Sequence, residues 1–429
     1  MTDTINECMK KQAIINIGMI GHVANGKSTL TKQLTGKTTQ QHSSEKQNNI
    51  TIQLGYANAK IYFCEPCDIY KSVPSNMDEV QCTSCDYLME LVNHVSFVDC
   101  PGHNSFTSNM LNGSSIMDTT ILIESANNTE ILGRQSREHL NAIKISNIPN
   151  AFVCMNKLDL IKKDIAKDRI INLIDELKET SAEHSDIIPV SANFGSNIDI
   201  VARYLANLEI PQKSLDKPVK MIIIRSFNIN KINTSIDNIS GGIVGGTITQ
   251  GILNIGDKFI IKPGFITKNP QYNPDDDTCT KWKCYPLVST VTSISADTNK
   301  LDKAISGGLI GVCSSLDSSL TVNNKLVGNI LSEYNQINDI YETFMIEYHP
   351  LDNTNSLNKG DTVLLNHNAC NTNAMIHSFK KGKMVLELLD RPMYAEMGDR
   401  LTISQNLNGF KILGYGTIIK GFSTEICYS

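Results

Sequence analysis

The stretch from Ile14 to Leu30 reads IINIGMIGHVANGKSTL, and it decides the fold of the first half of the chain. Its apolar first part has the length and composition of a buried β-strand. The segment from Gly21 to Ser28 matches G-x-x-x-x-G-K-[ST], whose two glycines let successive backbone N–H groups point at phosphate oxygens. A helix is predicted to follow, through about Leu34, and its positive N-terminal end favours the same anion. The sequence therefore predicts a phosphate-binding loop between a strand and a helix.

The side chains of this loop have distinct expected roles. The Lys27 ammonium should reach the β- and γ-phosphates of a nucleoside triphosphate, and the Ser28 hydroxyl should bind Mg²⁺. A chance match in a glycine-rich turn is the alternative, and the predicted strand and helix on either side argue against it. The residues expected to bind nucleotide here are Ala24, Asn25, Gly26, Lys27, Ser28 and Thr29.

Two further motifs follow predicted strands. In Asp99-Cys100-Pro101-Gly102-His103, the Asp99 carboxylate is expected to hold a Mg²⁺-bound water. The Gly102 N–H is expected to sense the γ-phosphate. Asn156-Lys157-Leu158-Asp159 comes after the next-but-one strand. The Asp159 carboxylate can accept hydrogen bonds from both N1–H and N2–H of guanine, which adenine cannot match.

A third segment, Ser191-Ala192-Asn193, follows a fifth predicted strand, residues 187–190, and is expected to close the base pocket. Each motif alone is weak, because Asn-Lys-x-Asp is as often a plain loop. In this order, each at the carboxyl end of a strand, they indicate one site, since ligands of open α/β sheets bind at that edge. Asn156, Lys157, Asp159 and these three residues complete the predicted guanine site.

The organisation of the chain changes near Pro211 and Pro218. Before these prolines, apolar strands alternate with helical patterns such as residues 165–180, which predicts a parallel sheet covered on both faces. After them, glycine turns separate short strands, which indicates β-barrels. The expected fold is an α/β P-loop GTPase domain followed by two β-barrel domains. The expected boundaries are 1–210 with an insert at about 62–90, 218–335 and 338–429.

Composition narrows the class of protein. The formal net charge is −5 and charged residues make up 19% of the chain, which disfavours a uniformly basic nucleic-acid coat protein. The sequence shows neither a run of 18 apolar residues nor a secretory signal at its start, so a cytoplasmic protein with no membrane partner is expected. Twelve cysteines in 429 residues are too sparse for a disulfide scaffold and indicate cytosolic thiols, some of them on a metal.

Four of the cysteines form two C-x-x-C pairs, Cys64 with Cys67 and Cys82 with Cys85. Each pair can present two thiolates to one tetrahedral Zn²⁺, and the polar segment between them would gain its order from the metal. Because all four ligands come from the protein, the predicted site is structural. Two unrelated thiol pairs or a redox couple are the alternatives.

On these motifs the sequence resembles the translational GTPases, and within them the family of gamma subunits of eukaryotic and archaeal initiation factor two. The resemblance extends over nearly the whole chain. Its densest stretches are residues 49–62 (NITIQLGYANAKIY), 94–103 (HVSFVDCPGH), 110–113 (MLNG), 224–227 (IRSF) and 307–312 (GGLIGV).

The resemblance implies a protein that binds GTP or GDP with Mg²⁺ and holds methionyl initiator tRNA in its GTP form for the small ribosomal subunit. It also implies alpha and beta partner subunits, a nucleotide-exchange factor and a GTPase-activating protein. A zinc knuckle at the paired cysteines is frequent in the gamma-subunit family.

The resemblance also assigns the switch residues. Thr51 matches a threonine that binds Mg²⁺ only when the γ-phosphate is present, and His103 matches a histidine that orients the attacking water. A threonine at a strand start and a histidine in a solvent-facing loop are the bland alternatives. Val23 and Ile50 match positions that screen the histidine, so hydrolysis by the chain alone is expected to be slow.

Contacts with tRNA are the least specific expectation. Tyr56 has the position and chemistry to stack on a terminal adenosine, although a core tyrosine is nearly as common in such a place. Arg225 and Phe227 lie near the aminoacyl-end region by sequence.

The sequence departs from the family pattern at several positions. Asn25 stands where a histidine is usual, Asn104 where an aspartate is usual, and Asn193 opens an altered base loop. An elongation-type factor carrying another aminoacyl-tRNA is the alternative function; Ala24 and the cysteine insert favour initiation. A non-hydrolysing scaffold that uses GTP as a structural ligand is disfavoured by the complete switch set.

Overall fold

The computed structural model describes residues 2–39, 54–101, 107–230, 240–273, 279–335, 340–351, 357–406 and 410–427. The chain forms two compact units. The first comprises Met1–Lys213 together with the segments Ser295–Leu301 and Ile305–Leu309, and the second comprises the rest. The three domain boundaries given above stay a prediction.

A seven-stranded sheet forms the centre of the first unit in the described part of the chain. Its spatial order is β3 (Ile69–Pro74), β2 (Gly55–Cys64), β4 (Glu90–Asp99), β1 (Ile15–Ile20), β5 (Thr119–Ser125), β6 (Asn150–Asn156) and β7 (Ile187–Pro189). Strands β4, β1, β5, β6 and β7 are mutually parallel, as the strand–helix alternation predicts.

The sheet is nevertheless mixed, because β2 pairs antiparallel with both β4 and β3. Strands β2 and β3 are joined only by the short 3₁₀ turn Glu65–Cys67, and so short a connection cannot carry the chain back for parallel pairing. The expectation of a purely parallel sheet therefore holds for five strands and fails at one edge.

Helices cover the sheet and connect its parallel strands. Every residue of β1 is buried, which explains its unbroken apolar sequence. The helices described are α1 (Thr2–Met9), α2 (Lys27–Thr35), α3 (Thr107–Ser114), α4 (Arg134–Ser146), α5 (Lys163–Glu176) and α6 (Ile198–Ala206). Helix α5 ends before the predicted residue 180, and the chain reaches a left-handed turn at Glu179 (φ 65°).

The second unit contains a closed six-stranded barrel with antiparallel pairing between its first and last strands, β11 and β12. The glycine-punctuated sequence predicted such a fold. Around this barrel the strands are β11 (Lys258–Lys268), β16 (Ile330–Glu333), β8 (Lys220–Phe227), β9 (Ile243–Gln250), β15 (Ile310–Ser314) and β12 (Trp282–Ala296), with short strands β10 (Ile252–Asn254) and β14 (Lys303–Ile305). The short strand β13 (Asn299–Leu301) lies in a segment that belongs to the first unit.

Another closed barrel of six strands follows, in which β17 pairs antiparallel with β20. Its apolar core includes Phe344, Leu365 and Ile403, none of which is exposed. The strands are β20 (Lys383–Leu388), β19 (Cys370–Lys380), β18 (Thr362–His367), β22 (Arg400–Asn406), β23 (Phe410–Ser423) and β17 (Ile340–Pro350), with β21 (Met393–Tyr394) beside β17 and β24 (Glu425–Ile426) against β12.

Within the described residues, none of the helices has the length and apolar character needed to cross a bilayer.

Candidate nucleotide site and metal centre

The loop between β1 and α2 has the backbone geometry of a phosphate cradle. Gly21, Ala24 and Gly26 all have positive φ, at 134°, 63° and 99°. A Cβ on Gly26 would lie 2.1 Å from Nδ2 of Asn156, so this position requires glycine for space as well as for conformation. Because Lys27 is the first residue of α2, the loop ends at the helix N-terminus, where backbone N–H groups remain for an anion.

The Lys27 side chain lies inside the loop. Its Nζ donates hydrogen bonds of 2.9 Å to the carbonyl oxygens of Gly21 and His22. Burial lowers the pKa of the lysine, and the nearby Asp99 carboxylate opposes this effect. The ammonium is therefore held beside the phosphate cradle.

Side-chain oxygen atoms that could bind a metal ion come together where β4 ends and α2 begins. Oδ2 of Asp99 accepts a hydrogen bond of 2.7 Å from Ser28 Oγ and another of 2.6 Å from Thr39 Oγ1. Asp99 is fully buried. This carboxylate and the two hydroxyls form a set of hard oxygen donors suited to Mg²⁺, which would neutralise the charge of a bound polyphosphate.

Asn25 links the phosphate loop to the sheet behind it. Its Nδ2 donates to Ile123 O (2.9 Å) and Glu124 Oε2 (3.0 Å), and its Oδ1 accepts from Asn128 Nδ2 (3.0 Å). Its backbone oxygen accepts a 2.9 Å hydrogen bond from Asn156 Nδ2. With these four partners, Asn25 fixes the phosphate loop against the sheet.

Asn156 also connects the two segments that are predicted to bind the base. Asn156 Oδ1 accepts a 3.0 Å hydrogen bond from the Ala192 backbone N–H, and Asp159 Oδ1 accepts one from the Ser191 hydroxyl. Lys157 adopts a left-handed conformation (φ 63°) that turns the chain between Asn156 and Asp159. The segments after β6 and β7 thus form one hydrogen-bonded wall, on which Asp159 is exposed.

Not every predicted site residue can be placed. Thr51, Gly102 and His103 lie outside the described residues, as does Ile50. Of the tRNA candidates, Tyr56 lies on β2 in the first unit and is half-buried, whereas Arg225 and Phe227 lie on β8 in the second. Asn193 is exposed beside the base wall.

Four residues at the site were missed by sequence reasoning. Thr39 contacts Asp99, Glu124 and Asn128 contact Asn25, and His139 Nδ1 accepts a 3.2 Å hydrogen bond from the Gly21 N–H. None belongs to a linear motif. The available signal for Glu124 was a charged residue directly after the apolar residues Ile121, Leu122 and Ile123 of β5, because buried carboxylates need partners.

The two C-x-x-C pairs converge, with four sulfur atoms that all lie within 4.8 Å of one another. The sulfurs of Cys64 and Cys85 are 3.5 Å apart. Zn–S bonds of about 2.3 Å in a tetrahedron place sulfurs about 3.8 Å apart, so the cluster matches the size of a zinc site. A backbone hydrogen bond from Ser84 lowers the pKa of Cys82 to about 7, whereas a hydrogen bond with Cys85, together with burial, raises the pKa of Cys67 to about 12, so the surroundings alone favour the thiolate at Cys82 and the thiol at Cys67.

The cysteine cluster sits on the edge of the sheet. Cys64 is the last residue of β2, and β3 pairs with β2 along the insert predicted at about 62–90. A small apolar cluster that includes Tyr62, Val73 and Met89 packs beneath the cysteines. The insert thus continues the sheet and carries its cysteine cluster at the turn.

The phosphate loop, the buried Asp99 at the end of β4 and the Asn-Lys-x-Asp motif together define the site of a GTP-binding protein. In agreement, residues 12–212 match the family model of the elongation factor Tu GTP binding domain, and residues 341–418 match that of the C terminal of initiation factor eIF2 gamma. Across 98% of its length, the chain is 36% identical to eukaryotic translation initiation factor 2 subunit 3 of Drosophila melanogaster, covering 92% of that protein. It is also 36% identical to the gamma subunit from Encephalitozoon cuniculi, covering 99% of this chain and 97% of that one. The chain belongs to the gamma-subunit family of eukaryotic translation initiation factor 2.

Solved structures support the fold. The bacterial selenocysteine-specific elongation factor EF-Sec superimposes with a TM-score of 0.70 at 20% identity, covering 96% of this chain and 59% of that one. Translation elongation factor SelB from Methanococcus maripaludis, in complex with the GTP analogue GppNHp, gives 0.68 at 21% identity, covering 96% and 80%. Family membership makes this protein a translational GTPase of initiation that binds GTP and GDP, as the sequence predicted.

Proposed function

We propose that this chain binds methionyl initiator tRNA in its GTP form, delivers it to the small ribosomal subunit and releases it after GTP hydrolysis. The 36% identity to initiation factor 2 gamma subunits over nearly the whole chain carries the proposal, and the hydrogen-bonded set of Ser28, Thr39 and Asp99 at the phosphate loop supports its dependence on GTP. Ser28 and Asp99 would hold Mg²⁺ beside the phosphates of GTP, directly or through water, and the metal would make the affinity for tRNA depend on the γ-phosphate.

Hydrolysis rests on two residues beyond the described part of the chain. In this proposal Thr51 would be a further ligand of Mg²⁺ when the γ-phosphate is present, and His103 would orient the attacking water. Gly102 supplies an N–H to the same phosphate. Hydrolysis by the chain alone is slow, and a GTPase-activating protein accelerates it.

The base site uses Asn156, Lys157 and Asp159 with the wall that follows β7. Support comes from the Ser191 hydroxyl, which donates to the Asp159 carboxylate and holds it for N1–H and N2–H of guanine. Asn193 lies beside this wall on an exposed loop. Zn²⁺ in the four-cysteine cluster is structural.

The remaining proposed partners are those implied by the resemblance to the gamma-subunit family. Alpha and beta subunits complete a cytoplasmic heterotrimer, and an exchange factor replaces GDP by GTP. Tyr56, Arg225 and Phe227 contact tRNA; Phe227 supports this as a large aromatic side chain that is 41% exposed. The proposed domains are residues 1–210, 218–335 and 338–429.

A filter-binding assay of the purified chain tests the proposal. The chain loaded with a non-hydrolysable GTP analogue, or with GDP, is titrated with methionyl initiator tRNA and with methionyl elongator tRNA. We expect tight binding only for initiator tRNA with the GTP analogue. Equal affinity for both tRNAs would support the elongation-type alternative, and equal affinity in both nucleotide states would contradict the switch.

A further inference from the structure

A carboxyl group is buried directly behind the phosphate loop. Glu124 lies in β5 and is 1% exposed, and its Oε2 accepts the 3.0 Å hydrogen bond from Asn25 Nδ2. Asn25 is itself 1% exposed and belongs to the loop that surrounds the phosphates. Burial of an ionisable group at this depth costs free energy unless the group is neutral or has a hydrogen-bonding or charged partner.

The groups around Glu124 come from three elements. Asn25 approaches from the phosphate loop, the Lys27 ammonium from the start of α2, and the Ser136 hydroxyl from α4. His139, also on α4, bonds the Gly21 N–H. Its pKa is lowered to about 3, chiefly by burial and then by Lys27 and His22, so this ring stays neutral near pH 7.

The protonation of Glu124 is finely balanced at neutral pH. Burial raises the pKa of its carboxyl to about 7, while the nearby Ser136 hydroxyl, the hydrogen bond from Asn25 and the charge of Lys27 act in the opposite direction. A bound nucleotide polyphosphate adds negative charge beside Lys27 and Asn25. Added negative charge favours the protonated carboxyl, because like charges repel strongly in a region without water.

We propose that Glu124 is a positioning residue for guanine nucleotide, which holds the phosphate loop through Asn25 and takes up a proton when the nucleotide binds. The proposal rests on GTP and GDP binding and is independent of tRNA delivery. Because the ionised Glu124 carboxylate repels the phosphates, nucleotide affinity falls as the pH rises through about 7.

The effect of the Glu124 charge is tested by titrating the full chain with a fluorescent GDP in the presence of Mg²⁺, at about pH 6 and pH 8. Glu124→Gln keeps an acceptor for Asn25 and removes the charge. We expect the variant to match the native chain at pH 6 and to bind roughly 3- to 10-fold more tightly than it at pH 8. Because both proteins meet the same GDP, the titration of the nucleotide itself cancels. Glu130→Gln, an exposed carboxylate six residues further on, should follow the native chain at both pH values.

Calorimetry supplies a second measurement that needs no variant. The enthalpy of GDP binding to the native chain near pH 7 should depend on the ionisation heat of the buffer, with net proton uptake that Glu124→Gln reduces. Buffer-independent binding by the native chain, or identical pH profiles for the native chain and Glu124→Gln, would overturn the proton linkage.

The positioning role is tested by removing the acceptor. Glu124→Ala leaves one Asn25 N–H without its partner and should weaken GDP binding roughly 10-fold at both pH values. Glu124→Gln should restore this loss at pH 6. If Glu124→Ala and Glu124→Gln bind GDP equally well at both pH values, the carboxyl does not hold the loop.

Discussion

Ser28 and Asp99 are 71 residues apart in the sequence, and the Ser28 hydroxyl donates a 2.7 Å hydrogen bond to Asp99 Oδ2. This contact joins the first turn of α2 to the carboxyl end of β4, and Thr39 donates to the same oxygen. Parallel β1 and β4 lie side by side, so their following loops meet at one edge of the sheet. The pair is therefore a consequence of strand order.

Replacement of Ser28 by alanine removes the hydroxyl proposed to bind Mg²⁺. We expect Ser28→Ala to weaken GDP binding in Mg²⁺ roughly 10- to 100-fold, and to leave binding in excess chelator nearly unchanged. The measurement is fluorescent-GDP titration with and without Mg²⁺. Ser115→Ala, a hydroxyl that bonds Asn112 O just after α3, is the matched control and should behave as the native chain. Retention of the full Mg²⁺ effect by Ser28→Ala would contradict the assignment.

The base preference should change with Asp159. Its carboxylate is held by Ser191 and is proposed to accept two guanine N–H groups. In Asp159→Asn, an amide N–H faces the guanine 2-amino group, whereas xanthine offers a carbonyl oxygen there. We expect GDP affinity to fall at least ~100-fold and XDP binding to appear, measured by competition against a fluorescent nucleotide. Asp164→Asn, on the exposed start of α5, should keep the native preference. Unchanged GDP binding in Asp159→Asn would place the base elsewhere.

Loss of one sulfur should release the metal. Cys85 is the exposed member of the four-cysteine cluster. Cys85→Ser is expected to lower the zinc content of the chain from about one ion to well below one, because a structural site with three thiolates binds Zn²⁺ more weakly. Elemental analysis after gel filtration gives the content. Cys313→Ser, in β15, should retain native zinc, and a native chain purified without any zinc would refute the site.

Acid should destabilise the first unit through His94. The ring is fully buried, with Nδ1 bonded to Met9 O at 2.8 Å. Burial is the main cause that lowers the pKa of the ring from 6.5 to about 4, and the positive charge of Lys60 lowers it further. The unfolded ring therefore takes up a proton before the folded one. The free energy of unfolding therefore keeps its full value above about pH 6.5 and decreases towards pH 4, with about 1 kcal/mol lost by pH 5.5.

In His94→Gln this part of the acid sensitivity should disappear. Thermal unfolding followed by circular dichroism at about pH 7.5 and pH 5.5 should show a smaller difference for the variant than for the native chain, even if its packing lowers both midpoints. His184→Gln, at an exposed position, is expected to keep the native difference. An unchanged pH difference in His94→Gln would show that other groups dominate.

Much of the nucleotide site could be predicted because its signals are local. The apolar run of β1, the glycine spacing of the loop and the start of α2 lie within one short stretch, where strand length and turn chemistry are read directly. The cysteine pairs are also local, since each C-x-x-C brings two sulfurs together by itself.

Partners that are distant in sequence could not be predicted in this way. Glu124 was hidden inside a strand, and its role depends on Asn25, 99 residues away. Thr39 was unremarkable until folding placed it on Asp99. The antiparallel edge of β2 and β3 was missed because strand–helix alternation carries no information about a hairpin added to the sheet.

By itself the sequence determined the class of fold, the phosphate loop and the family, since these depend on periodicity, turn residues and long matching strings. Only the tertiary structure decided which side chains meet: Ser28 and Thr39 at Asp99, Glu124 at Asn25, and four sulfurs in one cluster. The physical reason is that hydrogen bonds and charge interactions act over a few ångströms in space, whatever the separation along the chain.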